Sequence, residues 1–81
     1  MPKTADQLQN GETAVIASLH EGDFLLRLAE MGCVPGTRIR REYQAPGGDP
    51  IAFRVDTYLL GLRLDEAQLI EVLPLDEGGT L

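Results

Sequence analysis

The chain has 81 residues, enough for one domain with one modest core. Its hydrophobic fraction of 43% excludes an intrinsically disordered chain, and its net charge of −6 opposes non-specific approach to nucleic acid or an anionic membrane. The single cysteine, Cys33, excludes an internal disulfide and suits a reducing compartment. Apolar runs such as Phe24-Leu25-Leu26 are far too short to span a bilayer. The segment Met1 to Asp6 lacks the apolar stretch of a secretory signal, so the expectation is a cytoplasmic protein.

In chain order, Thr4 is the predicted N-cap of a helical turn over Ala5 to Leu8, closed by Asn10-Gly11. Thr13 to Ala17 is compact and β-branched, the first predicted strand. Asp23 to Met31 reads as a helix. At 3.6 residues per turn Phe24, Leu28 and Met31 share one face with Leu25 at its margin, while Asp23, Arg27 and Glu30 lie opposite. Asp23 and Arg27 are spaced for an i, i+4 ion pair. Gly32 follows as the C′ residue, and Val34-Pro35-Gly36-Thr37 reads as a type II turn with a positive φ at Gly36.

The period then becomes two. Ile39 and Tyr43 alternate with Arg38, Arg40 and Glu42, although Arg41 interrupts the apolar face. Ala45 to Pro50 is a loop by composition. Ile51, Phe53 and Val55 form one face of a half-buried strand, Asp56-Thr57 reverses the chain, and Tyr58, Leu60, Leu62 and Leu64 begin a new alternation. Asp65 caps a predicted turn of helix before a last strand over Leu69 to Leu73. The fold class is therefore mainly β: five strands in a small bent barrel with one inserted α-helix and short helical turns. Closure or near-closure of such a sheet removes exposed edges that so short a chain could not otherwise cover. The predicted core is Val15, Phe24, Leu28, Ile39, Phe53, Val55, Leu62 and Ile70. Residues 1–74 are expected to form the domain and 75–81 a mobile tail.

No catalytic constellation is present. Ser18 is the only serine and His20 the only histidine, so no nucleophile–base–acid set can be built around several candidates. His20 and Cys33 make two scattered ligands, short of a tetrahedral metal site, and read as a solvated histidine and a small buried thiol. Gly47-Gly48 has no Lys-Ser/Thr after it and is not a phosphate loop. Asp65-Glu66 is explained by its place at a helix start. Neither a metal nor a cofactor is expected.

Two surfaces are candidates for binding. Arg38, Arg40 and Arg54 fall on outward positions of neighbouring strands and form a basic stripe, read either as a site for phosphate or an acidic surface, or as solvated positions paired with Glu42, Asp49 and Asp56. Stacking aromatics of an RNA-binding barrel are missing from it, since Phe24, Tyr43, Phe53 and Tyr58 mostly occupy inward positions. Leu26 projects opposite Phe24 and Leu28, and Leu59 points away from Leu60 and Leu62. They are read either as an apolar docking patch ringed by Glu30 and Arg63, or as side chains packed on the first loop and on the neighbouring strand.

Three segments carry a family resemblance. Arg27-Leu28-Ala29-Glu30-Met31-Gly32-Cys33-Val34-Pro35-Gly36 resembles the helix-to-turn signature of the FeoA family, small cytoplasmic accessory proteins of ferrous iron uptake. Ala45-Pro46-Gly47-Gly48-Asp49-Pro50-Ile51 resembles its central loop. Leu62-Arg63-Leu64-Asp65-Glu66-Ala67 with Ile70-Glu71-Val72 resembles its closing strand, turn and strand. The segments come in family order from about Gln7 to Val72. Asp56-Thr57 departs from a glycine-containing turn, and Gly61 from a small side chain. The resemblance implies an SH3-like barrel without enzymatic activity that docks on the cytoplasmic side of the FeoB-type transporter, a membrane protein with a GTP-binding domain. The chain is also similar to the barrel domain of DtxR-type iron-dependent repressors. That likeness keeps open a stand-alone metal-responsive or nucleic-acid-binding regulator, although no helix-turn-helix accompanies it. The expected partner is thus the transporter, with no nucleic acid, no membrane span and at most a weak homo-oligomer.

Overall fold

Local patterning accounts for most of the chain's elements, and the computed structural model describes residues 3–75. Lys3–Thr4 forms a short strand β1, followed by a single 3-10 turn over Ala5–Gln7. Then come β2 (Thr13–Leu19), helix α1 (Leu25–Glu30), β3 (Arg38–Gln44), β4 (Ile51–Val55), β5 (Tyr58–Leu62), helix α2 (Leu64–Ala67) and β6 (Ile70–Pro74). The five expected strands are all present. The sixth, β1, is too short to show a period and exists because it pairs with Val72 and Glu71 of β6. Of the tail expected at 75–81, only Leu75 is among the described residues, and its N–H still donates to the Thr13 carbonyl at 3.4 Å.

All strand pairs are antiparallel, in the order β1-β6-β2-β3-β4-β5. One extra residue interrupts the register of β2 between Ile16 and Ser18, and another that of β3 between Arg41 and Tyr43. Such bulges bend and twist a strand, which curls a short sheet around its own core. The sheet and helices enclose a mainly β, SH3-like barrel with one core, built on Leu8, Ile16, Leu28, Ile39, Ile51, Phe53, Val55, Leu62, Ile70 and Val72.

Six of the eight predicted core residues are fully buried, and Phe24 is half-buried against the same cluster. Val15 is the correction. Ala14 and Ile16 point inward, while Val15 is half-buried beside Arg38 and Leu73. Five compact residues in a row give no alternation to read, and a phase error of one residue exchanges the two faces. Tyr43 is likewise corrected: the β3 bulge moves it to the outer face opposite Ala52, where it is 54% exposed.

Three local contacts also differ from expectation. The Thr4 N–H is satisfied by Gln7 Oε1 at 2.9 Å, and the Thr4 hydroxyl donates to Asp6 instead of capping the turn. Helix α1 begins after Phe24, so Asp23 lies before it, and Arg27 turns to Glu66. At α2 it is Glu66, not Asp65, that closes the N-terminus, accepting the Arg63 N–H at 2.8 Å. The turn before β3 is as expected: Gly36 has φ +93 and the Thr37 N–H reaches the Val34 carbonyl at 3.1 Å.

Candidate interaction surfaces

Helix α1 anchors through one residue and exposes the next. Leu28 is wholly buried, and Phe24 and Met31 pack on the core from either end of the helix. Leu26, two residues earlier, faces the opposite way and is 71% exposed, with Glu30 exposed one turn further along. The helix stops at Gly32, whose φ of +93 suits glycine alone among common residues. A Cβ there would lie 2.5 Å from the Tyr58 hydroxyl, which donates to the Met31 carbonyl. This close approach ties the end of α1 to the start of β5. Below it, Gly32, Gly36, Thr37, Arg38, Asp56 and Tyr58 line an open cleft of about 430 Å³.

The outer face of the sheet carries the basic stripe. Arg40 and Arg54 are paired across β3 and β4, and both share the Glu42 carboxylate, at 3.8 Å and 3.1 Å. Arg38 has no carboxylate partner among the described residues. Arg41 does not belong to the stripe. Its guanidinium donates to the carbonyls of Asp6 and Leu8, to Asn10 Oδ1 and to Gln44 Oε1, which explains why an arginine interrupts the apolar face of β3. It fastens the N-terminal turn to the sheet.

Leu59 stands beside Arg54 on this same outer face and is 46% exposed. Tyr58, one position earlier, faces the side on which α1 lies. Leu59 thus neighbours the arginine stripe, while Leu26 and Glu30 stand on α1. Arg63 reaches Asp49 at 3.4 Å, and Asp49 also accepts the Leu64 N–H, so the β3–β4 loop is tied to the end of β5.

Sequence reasoning missed the one buried charge among the described residues. Glu66 is 2% exposed: its Oε1 caps α2, while its Oε2 sits 3.3 Å from Arg27 Nη1 without a hydrogen-bond alignment. Cys33 is wholly buried, and burial, with the Glu66 carboxylate as a smaller influence, pushes its thiol up to about 11. Such a thiol stays protonated and unreactive near neutrality. His20 lies at the surface, 3.2 Å from Glu71 Oε2, whose other oxygen accepts the Ser18 hydroxyl at 3.0 Å. His20 and Cys33 thus belong to separate surroundings, and among the described residues no three His, Cys, Asp or Glu side chains converge for a metal. No described helix is long and apolar enough to cross a membrane.

Residues 3–74 match the model of the FeoA domain. A Porphyromonas gingivalis protein described as an Fe(2+) transport protein A/Fe(2+) transporter FeoB fusion is 36% identical over 75 residues. The match takes in 91% of this chain and spans 9% of that relative. The solution structure of an FeoA-like protein from Clostridium acetobutylicum is 34% identical over 94% of this chain and 90% of its own, with a TM-score of 0.87. The crystal structure of Stenotrophomonas maltophilia FeoA with zinc, described as a prokaryotic SH3 domain protein, is 29% identical over 86% of this chain and 88% of its own, with a TM-score of 0.78. A manganese-dependent transcriptional repressor, 22% identical over 91% of this chain and 37% of its own with a TM-score of 0.84, shares the fold alone.

Proposed function

This chain belongs to the FeoA family, and we propose that it is a non-catalytic cytoplasmic accessory protein of ferrous iron uptake, which binds a FeoB-type GTP-binding transporter and modulates its activity. The observation that carries this reading is the relative in which the two proteins form one polypeptide. Covalent linkage raises the effective concentration of one module at the other to about the millimolar range, which helps only modules that act together. The chain's surface suits a docking module: an exposed leucine on a short helix, an arginine stripe partly offset by Glu42, and no three metal-ligating side chains converging among the described residues.

We place the transporter contact on α1, at Leu26 with Glu30 beside it. An apolar centre with a polar, solvent-accessible rim is the general anatomy of a protein interface. Leu59 and Arg63, expected at the same contact, stand respectively beside Arg54 on β5 and against Asp49 after it. The nucleic-acid alternative loses support from the net charge of −6 and from Glu42, which lies against both Arg40 and Arg54.

The test is binding of the full chain to the cytoplasmic domain of a FeoB-type transporter, with and without guanine nucleotide, alongside thermal melting. Leu26→Glu is expected to weaken binding at least tenfold with an unchanged melting temperature. Unchanged binding would place the contact elsewhere. No binding by the parent in any nucleotide state would remove the accessory reading.

A further inference from the structure

Strand β5 ends the sheet, and nothing among the described residues pairs with its outer side. Its other neighbour fixes which backbone groups are free. Val55 and Tyr58 face each other across a two-residue turn, so they exchange both hydrogen bonds, as do Phe53 with Leu60 and Ile51 with Leu62. The N–H and C=O of Leu59 and Gly61 must then point away from β4. Neither N–H has a partner outside the sheet among the described residues. Natural edges are guarded by lysine, proline or inward charge. The opposite edge, β1, is only two residues long and carries Lys3. By contrast β5, Tyr-Leu-Leu-Gly-Leu, has no such guard.

Gly61 is the second observation. Its φ is not positive, and a Cβ built there meets nothing within 4 Å, so neither its own backbone nor its own packing requires glycine. A glycine within a strand often marks the close approach of another backbone or group. On the outer face Gly61 lies next to Ala52, which is 8% exposed, and Ala52 next to exposed Tyr43. Leu59, two residues from Gly61, stands out of the same face.

We propose that β5 is a self-association edge, through which two copies of this chain pair antiparallel about a two-fold axis at Leu60. This register uses every free group. Leu59 faces Gly61 of the second copy and exchanges two hydrogen bonds with it, and the symmetric pair doubles this to four. The Leu59 side chain then lies over the missing Cβ of the other Gly61, against Ala52 and Tyr43. Beyond the strand, Arg63 of one copy, which holds Asp49 of its own chain at 3.4 Å, comes opposite Thr57 and beside Asp56 of the other, so each guanidinium gains a second carboxylate. Arg54, the nearest like charge, is already held by Glu42 at 3.1 Å. A pair of five-residue strands buries well below the roughly 1,200 Å² of a standard interface, so the dimer is weak, with a dissociation constant on the order of 1 mM.

The test is amide NMR of the full chain from micromolar to millimolar concentration. The amides of Leu59 and Gly61 are expected to shift with concentration and to exchange more slowly as it rises. A sample mixing differently labelled copies should give an intermolecular contact between Leu59 methyls and Gly61 Hα. Gly61→Val, which fits its own chain, should raise the dissociation constant at least tenfold while melting no lower than the parent, and Leu59→Glu should do the same. Shifts absent at millimolar concentration, shifts centred on α1, or Gly61→Val associating like the parent would each overturn the proposal. So would β5 amides protected only when a transporter domain is added.

Discussion

Truncating Phe53 tests the barrel most directly. Phe53 is the largest fully buried side chain, in the middle of β4, flanked by Arg41 on β3 and Leu60 on β5. Phe53→Ala removes the ring and leaves a void that β4 cannot collapse into, because both its sides are hydrogen-bonded. Such truncations cost about 3–5 kcal/mol. A chain of 81 residues, at roughly 0.05–0.15 kcal/mol per residue, has a total stability of about 4–12 kcal/mol. The variant is therefore expected to lose about a quarter or more of that stability. In urea, with a slope of about 1 kcal/mol/M for so small a domain, the midpoint should fall by about 3–5 M. Arg54→Ala, at the adjacent exposed position, should move it by less than about 1 M. A Phe53→Ala midpoint within about 1 M of the parent would refute the inward face of β4, and with it the enclosed core.

The phase of β2 is tested by Ile16→Ala, expected to cost about 2–5 kcal/mol, against Val15→Ala, expected to cost less than half as much in the same denaturation series; equal losses would contradict the register. At Gly32 and Gly36 the backbone has the same positive φ, but only a Cβ at Gly32 meets the Tyr58 hydroxyl. Gly32→Ala should therefore lose about 1 kcal/mol more than Gly36→Ala in chemical denaturation, an excess that disappears in a Tyr58→Phe background. For Cys33, burial raises the folded thiol from 9.0 to about 11, so the unfolded chain sheds its proton first and stability falls as pH rises between those values. The slope from this group approaches about 1.4 kcal/mol per pH unit, and the alkaline loss should be smaller in Cys33→Ala than in the parent.

The clean alternation of Ile51, Phe53 and Val55, the helix-stopping Gly32 and the turn at Pro35-Gly36 were all legible in the sequence, because each depends on residues a few positions apart. The same holds for the outward placement of Leu26 and Leu59, each fixed by the period of its own element. Only the tertiary structure decided where that period breaks. The β2 and β3 bulges arise from pairing with distant strands, and the second carries Tyr43 to the outer face. No local pattern shows that Arg41 will spend its donors on the N-terminal turn, or that Glu66 will be buried between its own helix cap and Arg27. Nor does any pattern show which edge of the sheet stays open. Hydrogen bonds and charges find their partners across the chain, and periodicity records only which side of the backbone a residue occupies.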